Sequence, residues 1–197
     1  MKTRSFAAIA LAAVLAASAS ALAVGFSGGV NIGQPVADFK LPDAEGKEHS
    51  LSSLKGEKGT VIIFISAQCP MVRAYNERIA KLAEDYRAKG VNVVGINSNV
   101  TESADDIKRH AAANNFSFVV LRDKSNKVAD LLGAERTPEV FLLDASNKLV
   151  YHGRIDNHKN VTLVQSNDLR DAIEETLAGK AVTKAEAAAF GCTIKRG

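Results

Sequence analysis

Two cysteines, Cys69 and Cys192, are all that this 197-residue chain carries. A single pair forms at most one disulfide, so a cross-linked scaffold is excluded and the fold must rest on its core. Charge of one sign is also missing. Two of the 25 basic residues lie in the first four positions, and without them 23 basic residues face 22 acidic ones. Nothing there calls for nucleic acid or an anionic membrane as partner. The apolar run Phe6 to Ala17 is too short to span a membrane as a mature helix. An N-terminal anchor helix is the competing reading, against which stand Gly25 and Ser27-Gly28-Gly29 directly after it and the lack of an aromatic belt or second basic cluster. Metal spacing is absent as well: His49, His110, His152 and His158 form no tight pair with one another or with a cysteine. No Gly-rich phosphate loop follows a strand, since Gly25 to Gly33 precedes the first one. The sequence thus gives no ground for a metal, nucleotide or flavin cofactor. There is no internal repeat.

The N-terminus reads as an export signal. Lys2 and Arg4 start it, Phe6 to Ala17 is its apolar centre, and Ala21-Leu22-Ala23 offers the cleavage site. This predicts a signal over 1–23, a Gly-rich linker over 24–34, one domain over 35–180 and a tail over 181–197. The expected location is the periplasm, with no membrane contact after cleavage. The oligomeric state is left open.

The stretch from Thr60 to Val72 dominates the rest. Val61 to Ile65 is an unbroken apolar run, read as a strand buried on both faces. Cys69 follows, then Pro70, which suits a first helical turn. Val72, Tyr75, Ile79, Leu82 and Tyr86 share one helical face. A cysteine where a strand hands over to a helix meets the positive end of the helix dipole, which favours its reactive thiolate. A buried structural thiol is the competing reading.

Phe39 and Leu41 suggest a short strand, and Leu51 to Leu54 a single helical turn. Val91 to Ile96 and Phe116 to Leu121 read as further strands. Ser103 with Asp106 is a helix start, and Asp123 or Ser125 caps a short helix that Gly133 stops. Val140 to Leu143 and Lys148 to His152 form a hairpin over Asp144 to Asn147. Ser166 or Asn167 opens a last helix, and Thr183 with Glu186 predicts another short one in the tail. Strands alternating with helices before a late hairpin give an α/β fold. A mostly parallel central sheet with an antiparallel edge hairpin, flanked by helices, is expected. Pro138 should begin the strand it precedes or form a cis bond with Thr137.

Phe64 to Cys69, Thr137-Pro138 before a strand, and Pro35 to Asp43 together resemble the redoxin branch of the thioredoxin fold. That branch includes the alkyl hydroperoxide reductase and thiol-specific antioxidant proteins. Cys69 to Tyr75, Gly95 to Asn99, Tyr151 to Asp156 and Gly191 to Lys195 resemble a peroxiredoxin-like subgroup. The resemblance spans nearly the whole chain after residue 23 and implies a cis Pro138 beside Cys69, with Thr137 and Pro138 forming the substrate groove. It carries over only in part. Val72 stands where a thioredoxin has its second cysteine, so a local dithiol is excluded. Ser66 matches the hydroxyl residue that orients peroxide. Ile62 replaces an expected proline, and Pro138 falls where an arginine is expected, leaving Arg136, Arg154 or Arg73 as substitutes.

Cys192 lies 123 residues beyond Cys69. About 13 residues of extended tail reach about 40 Å, and a domain of this size has a radius of gyration of about 16 Å. Cys192 can therefore meet Cys69 as a resolving thiol, but a free or intermolecularly paired tail thiol has the edge. The first expectation is a peroxiredoxin-like antioxidant that reduces peroxide through Cys69, re-reduced by an external thiol or thioredoxin-type reductant. The alternatives are a thioredoxin-like thiol–disulfide exchange protein and a non-enzymatic binding module.

Overall fold

The structure is a computed structural model and describes residues 28–197; the expected signal over 1–23 lies outside the described residues. In chain order the elements are β1 (Lys40–Pro42), β2 (Glu48–Ser50), α1 (Leu51–Leu54), β3 (Gly59–Phe64), α2 (Pro70–Arg87) and β4 (Val91–Asn97). They continue with α3 (Ala104–Ala113), β5 (Val120–Arg122), α4 (Lys127–Leu132), β6 (Arg136–Thr137), β7 (Glu139–Asp144), β8 (Leu149–Gly153), α5 (Asp168–Leu177) and β9 (Cys192–Thr193).

The central sheet has the order β5-β4-β3-β7-β8. β5, β4 and β3 run parallel, while β7 lies antiparallel to β3 and β8 antiparallel to β7. The sheet is therefore mixed rather than mostly parallel, and the antiparallel half is two strands wide. A strand buried on both faces carries no sign of its direction. β7 is such a strand, with Val140 to Leu143 fully buried.

Alternation along β3 divides the core. Val61, Ile63 and Ile65 face α2 and α5 with Val72, Tyr75, Ile79, Leu82, Leu169 and Ile173. Ile62 and Phe64 face the other way, with Phe39, Leu41, Val128, Leu132 and Phe141. Each such side chain, fully buried, stabilises the fold by about 1.5–3 kcal/mol. The sheet thus has a hydrophobic layer on each face, and the site lies at the C-terminal end of β3, where the chain leaves this sandwich.

Three local expectations change. The described part of the presumed linker is not loose: Gly33 donates to the Leu149 carbonyl, and Leu149 donates to that of Gln34. The third strand is only Val120–Arg122. No helix forms at Thr183–Glu186. Thr183 instead binds the Glu175 carboxylate, and Ala187 donates to the His152 carbonyl, so the tail is laid along β8.

Candidate functional site

Cys69 is the N-cap of α2, with Pro70 as the first helical residue. Its side chain makes no cap hydrogen bond, so the sulfur is left for other contacts. The residue is only 3% exposed, because Val72, Tyr75 and the end of β3 enclose it. Pro70 needs no N–H partner at this position, so the helix starts without recruiting the thiol as a cap.

The sulfur is bonded to that of Cys192, with α-carbons 6.0 Å apart. This separation is ordinary for a disulfide. The tail that was expected, on balance, to carry a free or intermolecular thiol instead folds back over the start of α2. Three sets of contacts hold it there. β9 pairs antiparallel with β6, setting Cys192 opposite Thr137 and Thr193 opposite Arg136. Ile194 donates to the Glu135 carbonyl at 2.8 Å and buries its side chain against the second core. Lys195 exchanges backbone contacts with the next loop, donating to Asn99 Oδ1 at 2.6 Å and accepting from the Val100 N–H at 3.0 Å.

The Thr137–Pro138 peptide is cis. The Thr137 carbonyl oxygen lies 3.2 Å from the Cys69 sulfur. The sulfur therefore sits between a helix start and a backbone edge that the tail strand already occupies. Gly191 makes that approach possible: a β-carbon there would stand 2.1 Å from the Thr137 oxygen.

Ser66 lies beneath this pair but does not face an open pocket. It is buried, its hydroxyl donates to the Glu102 carboxylate, and it accepts the Cys69 N–H at 3.1 Å. Glu102 also accepts from the Ala67 and Gln68 N–H groups at 2.8 and 3.4 Å. The side chains of Asn97 and Asn99 complete the set at 2.7 and 2.9 Å. Burial pushes this carboxyl up, but the donors led by Ser66, Asn99 and Asn97 outweigh it and hold it below its ordinary value.

The candidate arginines are engaged elsewhere or exposed. Arg154 donates from Nε to Asp168 at 2.7 Å, an ion pair that Lys184 shares at 2.6 Å. Arg136 is exposed on β6, its N–H held by Glu139. Arg73 is exposed on the first turn of α2. Among the described residues no arginine hydrogen-bonds either sulfur. Sequence reasoning missed Glu102, and the available signal was the polar trio Asn97-Ser98-Asn99 at the end of a buried strand, which needs a buried partner.

A model of the AhpC/TSA family matches residues 32–152. The thiol-disulfide oxidoreductase ResA of Geobacillus thermodenitrificans is 28% identical over 120 residues, 61% of this chain and 67% of that protein. The chain thus spans about two thirds of such curated relatives. A hypothetical protein of Sinorhizobium meliloti 1021, solved by crystallography, is 37% identical with a TM-score of 0.79, over 86% of this chain and 96% of that one. The thioredoxin domain of a thiol-disulfide oxidoreductase from Bacteroides vulgatus aligns with a TM-score of 0.59 at 19% identity, over 76% of this chain and 99% of that one. That last likeness is one of fold, and the fold of this chain is thioredoxin-like.

Proposed function

The chain belongs to the AhpC/TSA family, and from that premise we propose that it is a thiol–disulfide oxidoreductase working through Cys69 and Cys192. The Cys69–Cys192 bond at the head of α2 carries this reading. In the reducing direction, a partner thiolate attacks one sulfur of the pair. A mixed disulfide forms and the other cysteine leaves as thiolate. A second partner thiol then breaks the mixed disulfide, leaving an oxidised partner and a reduced Cys69/Cys192 pair. Two electrons pass, and the two cysteines end with two protons. The reverse sequence oxidises a partner dithiol. Cys192 thereby supplies the second thiol that Val72 does not.

The name of the ResA relative supports the same class of reaction. The partners proposed are an external thiol or a thioredoxin-type dithiol, engaged beside Thr137 and Pro138 when β9 leaves that edge. Export to the periplasm is proposed from residues 1–23 and from a disulfide that such a compartment sustains.

A peroxide acceptor is the second reading, and the family match supports it. Oxidation of Cys69 to a sulfenic acid and its condensation with Cys192, releasing water, end at the same disulfide. The Ser66 hydroxyl weighs against it, being committed to Glu102 and to the Cys69 N–H. Neither Arg154 nor Arg136 hydrogen-bonds the sulfur to replace the missing charge.

The test treats reduced wild type and a Cys192→Ser variant with oxidised glutathione and, separately, with hydrogen peroxide. Exchange predicts a persistent glutathione adduct on Cys69 in the variant and rapid passage to the internal disulfide in wild type. Catalytic peroxide consumption by wild type, with both cysteines inert to oxidised glutathione, would replace exchange with peroxide reduction.

A further inference from the structure

Glu102 lies on neither cysteine's own element. It sits in the loop between β4 and α3, is 2% exposed, and makes no ion pair among the described residues. An unpaired buried carboxylate is costly unless hydrogen bonds satisfy it. Here five donors do so, three from the turn before Cys69 and two from Asn97 and Asn99 at the end of β4 and just after it. Ser66, Ala67 and Gln68 are the whole turn leading into Cys69. Asn99, the fifth donor, reaches the tail through Lys195. One hydrogen-bonded relay, Ser66, separates the carboxylate from the Cys69 N–H, and one, Asn99, separates it from the Lys195 N–H, three residues beyond Cys192 in the tail.

We infer that Glu102 is a positioning residue for the redox couple, holding the Cys69 turn and the Cys192 tail in register and biasing the pair toward the disulfide. The inference rests on the exchange reading above. Two effects act in the same direction. Anchoring both segments raises the effective concentration of one thiol at the other. The anion beside the start of α2 also disfavours a second negative charge at Cys69, which counters the helix dipole and disfavours the reduced thiolate. The other charged or titratable groups near this cluster are Arg73 on α2 and His110 on α3. Burial holds His110 below its ordinary value, against the pull of Glu102, while Arg73 acts in the same sense as burial.

The experiment compares the full chain with Glu102→Gln and Asn99→Ala in graded mixtures of reduced and oxidised glutathione. Cysteine states are read by acid quench, alkylation and mass spectrometry. Glu102→Gln replaces an acceptor with a group that presents its own N–H to the same donors. The expected result is about a tenfold loss in the equilibrium constant for disulfide formation, about 30 mV for a two-electron couple. Asn99→Ala keeps the carboxylate and cuts the tail tether, so it should show the same direction of shift.

A second readout separates positioning from stability alone. In a Cys192→Ser background, Glu102→Gln should move the pH midpoint of Cys69 alkylation downward, and Asn99→Ala should leave it in place. A lowered urea midpoint with both redox readouts unchanged in the two variants overturns the inference. Should Glu102→Gln fail to fold, Asn99→Ala decides, and an unshifted glutathione equilibrium in it overturns the inference. Failure of the exchange reading looks different: reduced wild type then forms no Cys69–Cys192 cross-link in the glutathione mixtures. The alkylation midpoint still decides whether Glu102 acts on Cys69.

Discussion

Ser66 shows how closely the residues beneath the disulfide depend on one another. Its hydroxyl hands the Cys69 N–H to Glu102, so it orders the turn. Ser66→Ala leaves a buried amide and one carboxylate oxygen short of a partner, which costs about 1–3 kcal/mol. A fall in the unfolding free energy of that size is expected from urea curves, and an unchanged midpoint would deny the relay. Two carboxyls add a pH dependence. Glu102 and Asp168 are both held below their ordinary values; burial pushes each up, and hydrogen bonds outweigh it. A depressed carboxyl stabilises the fold above its unfolded value and loses that contribution as pH falls through the folded one. Stability should therefore decline with acid below about pH 4.5, starting near the ordinary Glu and Asp values. Glu102→Gln should flatten the decline in a urea series from pH 6 to pH 3; an identical slope would mean that Glu102 is not the group involved. This role was hidden in the sequence because a lone glutamate in a polar loop looks solvated. Its partners lie 34 to 36 residues away at Ser66, Ala67 and Gln68.

At the scale of elements, the helices were the most legible. The 3.6-residue spacing on α2 named five residues, Val72, Tyr75, Ile79, Leu82 and Tyr86, and all five are buried. Ser103 and Asp106 exchange both capping contacts at the start of α3. Periodicity and capping are local, so a single sequence displays them. The direction of β7 and the path of the tail are not local. The Thr183–Glu186 pattern is a valid helix start, but the backbone around Ala187 instead pairs with His152. The tail's path is testable at Gly191, where no β-carbon fits against Thr137. Gly191→Ala should lift β9 off β6 and slow formation of the internal disulfide severalfold, with far-UV circular dichroism unchanged. Disulfide formation at the wild-type rate would show that β9 pairing does not set the approach of Cys192.

For the molecule as a whole, the α/β sandwich was legible because buried strands and amphipathic helices alternate in order. What links its two core layers at the site is the tail: Cys192 packs against one and Ile194 is buried in the other. A disulfide spanning 123 positions closes most of the chain into one loop. In the chain-entropy model a loop of this length is worth about 5 kcal/mol. Reduction should therefore lower the unfolding free energy by an amount approaching that figure. Denaturant curves of the oxidised and reduced forms would check it, and coincident curves would mean that the bond constrains nothing in the unfolded chain.

The central claim is that Cys69 and Cys192 act as one reversible redox pair. Peptide mapping of wild-type protein, equilibrated across graded ratios of reduced to oxidised glutathione and then quenched and alkylated, tests it most directly. The account predicts one two-electron transition in which the Cys69–Cys192 cross-linked peptide disappears as both cysteines become alkylated together. Two separate transitions, each cysteine carrying its own glutathione and no cross-linked peptide at any ratio, would contradict it.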